Sequence, residues 1–161
     1  MTIQIFTTGG SIDKIYSTKA SDFIVGEPQI ASILRDANVN LDYEIEPLLR
    51  KDSLQISSED REMIVERVKT TPHRQIVITH GTDTMTITAE RLQTIPDKVI
   101  VLTGAMQPAE FKVTDAVFNV GCAIAAVQIL PEGVYIAMNG HIFAADKTRK
   151  NMETNQFEEV E

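Results

Sequence analysis

The sequence contains a single cysteine, Cys122, so no disulfide can form within the chain. Because that residue lies in an apolar stretch, a reducing compartment and a cytoplasmic location are the simpler expectation. Positive charge is scarce as well: 15 Lys and Arg stand against 23 Asp and Glu, a net charge of −8. Such a balance offers nucleic-acid phosphate no basic face and gives an anionic membrane no grip. No apolar run approaches the ~20 residues that span a bilayer. The N-terminus enters a short apolar stretch without a basic leader, so no signal peptide is expected. Repeats, linkers and low-complexity blocks are missing too, which leaves one domain over residues 1–161. With 43% hydrophobic and 24% charged residues, that domain has an ordinary globular composition.

What is present is alternation. Apolar runs at 2–7, 41–48, 75–79, 98–103 and 133–138 read as strands. The runs at 75–79 and 98–103 are short, continuous and rich in Ile and Val, as expected for strands covered on both faces. Helical patterns separate them. Pro28 suits the first turn of a helix over 28–36, and Ser57 or Ser58 can cap a second. A third begins near Thr82 to Thr84 and runs to about Gln93. A fourth, 114–130, is rich in Ala and Gly and is apolar around most of its circumference, so it needs cover from a sheet or a second subunit. This order implies an α/β fold: a doubly wound, mainly parallel sheet flanked by helices, in a flavodoxin-like three-layer sandwich. Residues 13–27 form a long polar connection of the kind that covers a site. The charged tail 147–161 reads either as an ordered edge or as frayed chain.

Two strand ends carry chemistry. Ile3-Gln4-Ile5-Phe6 runs into Thr7-Thr8-Gly9-Gly10-Ser11, and Gln75-Ile76-Val77-Ile78 runs into Thr79-His80-Gly81-Thr82-Asp83-Thr84-Met85. In open α/β sheets the carboxyl ends of strands are where ligands bind. Gly9 and Gly10 permit a sharp turn and a close backbone approach, after which Ser11 presents a hydroxyl. Thr82 offers a nucleophile or proton relay, and Asp83 a group to orient a base or grip an ammonium. The competing reading makes the first junction a plain glycine turn, and makes Thr82 and Asp83 caps for the third helix. His80, a lone histidine at a strand end, reads as structural.

Taken together, Thr8-Gly9-Gly10-Ser11-Ile12 and Ile78-Thr79-His80-Gly81-Thr82-Asp83-Thr84-Met85 resemble the bacterial-type L-asparaginases and their glutaminase-asparaginase relatives. Leu102-Thr103-Gly104-Ala105-Met106-Gln107-Pro108, Asp115-Ala116-Val117-Phe118-Asn119, and Met138-Asn139-Gly140 with Arg149-Lys150 are similar to further family segments in the same order. The resemblance implies hydrolysis of a side-chain amide through a covalent acyl-enzyme, with no cofactor and no metal. It maps one triad onto Ser11 and Tyr16, and a second onto Thr82, Asp83 and Lys150. Gly10, Asp52, Ser53, Gly81 and Ala105 are the implied substrate-binding positions. Lys150 by itself is half of a basic pair in a charged tail; only the motif order singles it out. A carboxylate beside it favours the ammonium, which works against a role as base.

The chain also departs from the family pattern. Ser11 replaces the usual Thr, which keeps the hydroxyl and loses the methyl that restricts its rotamer. Phe23 stands where longer members carry the loop tyrosine, and Tyr16 is the nearest phenol to Ser11. The smaller C-terminal domain of longer members is expected to be absent. Three readings follow. The first is an amidohydrolase acting on L-asparagine or a similar small amide, assembled as a homodimer or higher homo-oligomer. The second is a non-catalytic amino-acid-binding domain that keeps the pocket. The third is an amide-hydrolysing component of a tRNA-dependent amidotransferase, against which the acidic charge counts.

Overall fold

A computed structural model describes all 161 residues. Ten strands and four helices follow in the order β1 (Ile3–Gly9), β2 (Lys14–Ser17), β3 (Asp22–Val25), α1 (Ile30–Asp36), β4 (Tyr43–Lys51), α2 (Ser58–Thr70), β5 (Gln75–Thr79), α3 (Met85–Leu92), β6 (Val99–Thr103), α4 (Ala116–Ile129), β7 (Gly133–Met138), β8 (His141–Ala144), β9 (Thr148–Asn151) and β10 (Gln156–Glu159). The central sheet has the order β4-β1-β5-β6-β7-β8. Its first five strands are parallel, and β8 returns antiparallel to β7 as an added edge.

Burial on both faces explains the near-continuous apolar strands. On one side Ile3, Ile5, Val77, Val99 and Val101 pack beneath α1 and α4. On the other Phe6, Ile76, Ile78, Ile100 and Leu102 meet α2, α3 and the β9–β10 hairpin. The small residues of α4 are used against the sheet: Ala116, Ala123 and Ala126 are buried, while Val117, Phe118, Gly121, Ala125 and Ile129 face outward. Helix α2 starts as its sequence directs. Ser57 Oγ accepts from Asp60 N at 3.1 Å, and Asp60 Oδ2 accepts from Ser57 N at 2.9 Å, a reciprocal capping box.

Several boundaries move. Helix α1 begins at Ile30 rather than Pro28. The polar connection 13–27 is an antiparallel hairpin, β2–β3, and the charged tail is a second ordered hairpin, β9–β10. From β1 the chain passes to β4 on one side, then crosses back over β1 to β5 on the other. The strand order therefore reverses between β1 and β5, and the loops leaving those two strands face each other across the gap where such folds bind ligands.

Candidate active site

The loops after β1 and β5 touch backbone to backbone. Gly10 has φ +87°, a conformation that favours glycine, and a Cβ there would lie 2.5 Å from Gly81 Cα. On its other side Gly81 rests on Ser53, 2.6 Å being the separation a Gly81 Cβ would have from Ser53 Cβ. Three short turns thus converge, and Ser11 and Thr82 are the residues that immediately follow the two glycines in contact. Glycine is the residue that lets this approach occur, so Gly10 and Gly81 shape the site by lacking side chains.

Lys150 completes the second of the implied triads. From β9 its Nζ donates to Asp83 Oδ1 at 2.6 Å and to Thr82 Oγ1 at 2.8 Å, and its side chain is only 8% exposed. Thr82 is buried and turns its own hydroxyl proton to Met106 Sδ at 3.7 Å. The hairpin is held by Phe157, buried in the core and paired across the strands with Lys150, and by Asn139 Oδ1, which accepts Phe157 N at 2.7 Å. The capping reading of Thr82 and Asp83 is corrected: α3 has Thr84 at its N-cap, with no side-chain cap, because both side chains are turned toward Lys150.

The remaining residues differ in how far they are brought in. Ser11 is half-buried in a short turn, and no hydrogen bond engages its hydroxyl. Tyr16 lies on β2, 53% exposed and edge-on to its cross-strand partner Phe23, which in turn meets Phe111. No hydrogen bond joins it to Ser11. Ser53 is buried; its Oγ accepts Thr84 N at 3.3 Å, and its carbonyl accepts Thr84 Oγ1 at 2.9 Å. Asp52 caps its own turn through Leu54 N and pairs with Lys14 at 3.3 Å. Ala105 is buried in a loop pinned by Asp115, whose carboxylate accepts Met106 N and Gln107 N, and by Asn119, which donates to Gly104 O. None of the chain's cavities is lined by Ser11, Thr82 or Lys150. No group of three or more His, Cys, Asp or Glu is placed to hold a metal.

Behind these turns lies a polar layer in which His80 has the structural role its sequence position suggests, together with partners the sequence does not single out. Arg61 from α2 is 7% exposed and donates to Thr88 Oγ1 at 3.0 Å, Ile56 O at 3.0 Å and Thr84 Oγ1 at 2.8 Å. His80 bridges Thr88 Oγ1 at 2.7 Å and Gly81 O at 2.6 Å. Burial pushes His80 down to about 4, with a bond to the Gly81 carbonyl opposing and the Arg61 charge assisting, so its ring is neutral. Asp13, two residues past Ser11, is pushed up to about 7 by burial, against the Gln29 N–H and the Arg50 charge. Nothing in the sequence marks Arg61 or Thr88, and Thr84, though it lies in the Ile78–Met85 segment, joins them only through the fold. Asp115, Asn119 and Asn139 did lie in the family-like segments, and the structure gives them scaffolding roles.

Comparison with known proteins bears on the family and the fold. The family model described as “Asparaginase, N-terminal” matches residues 2–161. The chain is 30% identical to a glutaminase-asparaginase of Acinetobacter glutaminasificans, over 96% of this chain and 52% of that protein. It is 29% identical to a glutamyl-tRNA(Gln) amidotransferase polypeptide of Methanococcus maripaludis, over 92% of this chain and 39% of the relative. The thermostable L-asparaginase from Thermococcus kodakarensis superposes with a TM-score of 0.87 at 27% identity, over 99% of this chain and 51% of that one. The chain thus spans about half the length of the glutaminase-asparaginase it matches.

Proposed function

The chain belongs to the asparaginase N-terminal family, and on that premise we propose that it hydrolyses the side-chain amide of L-asparagine or a similar small amide. The observation that carries this reading is Lys150 reaching across the fold to both Thr82 and Asp83, at the point where Gly10 meets Gly81. Ser11 is the attacking hydroxyl, because it is free, whereas the Thr82 oxygen is already held by Lys150. Its oxygen bonds to the amide carbon. The proton it gives up reaches the leaving nitrogen through Thr82 and Lys150, the C–N bond breaks, and ammonia departs. Water then cleaves the Ser11 ester, restoring the hydroxyl and releasing the acid. Asp83 holds Lys150 in place, and Tyr16 supplies a phenol to Ser11 when the β2–β3 hairpin folds over it. Ser53 and the backbone at Gly10, Gly81 and Ala105 form the floor on which the substrate rests, with Asp52 at its margin. The lone, free Cys122 suits a cytoplasmic site of action.

The test is ammonia release from asparagine and from glutamine. Ser11→Ala, Thr82→Ala and Lys150→Met are each expected to lower kcat by about 10²-fold or more, the range of a lost proton-transfer partner. Tyr16→Phe should also reduce turnover. Activity that survives both Ser11→Ala and Thr82→Ala would remove these nucleophiles. Loss in Thr82→Ala alone would give the attack to Thr82. Wild-type binding of asparagine without turnover would make the chain an amino-acid-binding domain.

We also propose that two or more copies associate through the outer face of α4, where Phe118 and Ile129 lie uncovered.

A further inference from the structure

The most unusual side chain in the fold lies outside both triads. Arg61 is buried and forms no salt bridge, the Asp60 charge acting on it only at longer range and opposed by that of Arg91, and all its hydrogen-bond partners are neutral oxygens. A buried cation outside any ion pair is costly, and an apolar residue of similar size is usually the more stable choice. A position that bears such a charge points to a purpose other than stability.

Donor and acceptor chemistry fixes the direction of every bond that leaves it. A guanidinium only donates, so Thr88 Oγ1 must accept from Arg61 Nε. The Gly81 carbonyl can only accept, so His80 Nδ1 carries the ring proton and donates it there. In the neutral ring Nε2 is then bare and accepts the proton of Thr88, whose oxygen accepts from Arg61. The neutral state of His80 agrees with this tautomer. A second branch runs from the guanidinium to Thr84 Oγ1 and from the Thr84 hydroxyl to the Ser53 carbonyl. Each branch admits one arrangement of protons, and each ends on a residue of the Gly10–Gly81–Ser53 contact.

We infer that Arg61 is a positioning residue of this site: through Thr88 and His80 it fixes the Gly81–Thr82 peptide, and through Thr84 it fixes the Ser53 turn. This inference rests on the amide-hydrolysis reading for its kinetic consequences, but not for its structural ones. The Gly81 end sets where the Thr82 hydroxyl meets Lys150, so it governs the proton relay. The Ser53 end sets the floor of the substrate site, so it governs binding. The two branches therefore separate into kcat and KM.

The experiment compares Arg61→Met, Arg61→Lys, Thr88→Val and Thr84→Val. Thr88→Val is expected to lower kcat by about 10-fold or more and Thr84→Val to raise KM, with Arg61→Met doing both, since displacements of an ångström near reacting groups cost up to about 100-fold. Arg61→Lys keeps the charge but lacks the planar fork, so it should restore folding and not kcat. The double variant Arg61→Met/Thr88→Val should lose no more kcat than Arg61→Met alone, because both cut one relay. Additive losses, or Arg61→Met with wild-type kcat and KM, overturn the inference. A readout without turnover keeps it testable if Arg61→Met fails to fold or wild type proves inactive. In ¹⁵N spectra, wild-type His80 should carry its proton on Nδ1, and Thr88→Val should shift the His80 ring and the Thr82 amide together. A His80 protonated on Nε2, or a Thr82 amide unmoved by Thr88→Val, overturns the relay whatever the activity.

Discussion

Asp13 and His80 are buried titratable groups on either side of the glycine contact, and burial moves them in opposite directions. For Asp13 the folded value of about 7 lies above the ordinary 3.8. Between those limits the unfolded chain has lost the proton that the native state keeps, so stability falls as pH rises from roughly 4 to 7. For His80 the folded value of about 4 lies below 6.5. The unfolded chain there holds the extra proton, so stability falls as pH drops from roughly 6.5 to 4. The two slopes oppose each other over the shared window. Asp13→Asn keeps an acceptor for Gln29 N and removes the acid's contribution. The variant should gain on the order of 3 kcal/mol over wild type at pH 8 relative to their difference at pH 4. Urea denaturation at both pH values measures it; equal differences would show that Asp13 ionises in the native state as it does in the open chain. Neither shift was legible in the sequence. Asp13 reads there as a polar loop residue, and only the closure of the β2–β3 hairpin, where Gly26 N bonds Asp13 O, reveals that it is enclosed.

At the scale of elements, the β9–β10 hairpin carries the clearest dependence of function on local stability. It is short, and its hold on the body of the fold comes from Phe157 in the core and from Asn139 beneath it. Phe157→Ala removes the anchor opposite Lys150. A buried Phe→Ala change in a core costs about 3–5 kcal/mol, but a two-stranded hairpin outside the central sheet can open by itself and spare that sheet. Amide exchange should therefore quicken through 148–159 while β1, β5 and β6 stay protected, and turnover should fall toward that of Lys150→Met. Global unfolding with uniform loss of protection would contradict a separately docked hairpin. The parallel strands were legible because continuous apolar runs such as Gln75–Thr79 have few alternatives. The hairpins were not, because Asp22–Val25 and Thr148–Asn151 are only four residues long, the first largely exposed and the second without an apolar residue, and are made by pairing partners that no local pattern specifies. The glycine junctions were legible as chemistry, and Lys150 only by motif order. Arg61 was hidden in the first turns of α2, where a charged residue ordinarily faces water.

For the molecule as a whole, the open question the fold poses is what covers the outer face of α4. Its inner face is spent against the sheet, yet Phe118 is 63% exposed and Ile129 81% exposed, with Val117 beside them and Ile142 on the neighbouring strand β8. Cys122, Ala125, Ile129 and Ile142 line one shallow, mostly apolar depression there. Soluble monomers rarely leave side chains of this size grouped together. Specific interfaces bury about 800 Å² on each partner, and the exposed face of a 14-residue helix flanked by an edge strand can contribute a large part of that. The net charge of −8 opposes association over long range, so the contact must come from apolar burial and should strengthen with salt rather than weaken. Sedimentation equilibrium at micromolar concentration is expected to give a dimer or larger species. Phe118→Asp with Ile129→Asp should yield monomers of unchanged circular dichroism, because neither side chain takes part in the core. A wild-type monomer at these concentrations would leave the α4 face without a partner copy. An assembly that dissociates as salt is raised would show that charge, and not the apolar surface, holds it.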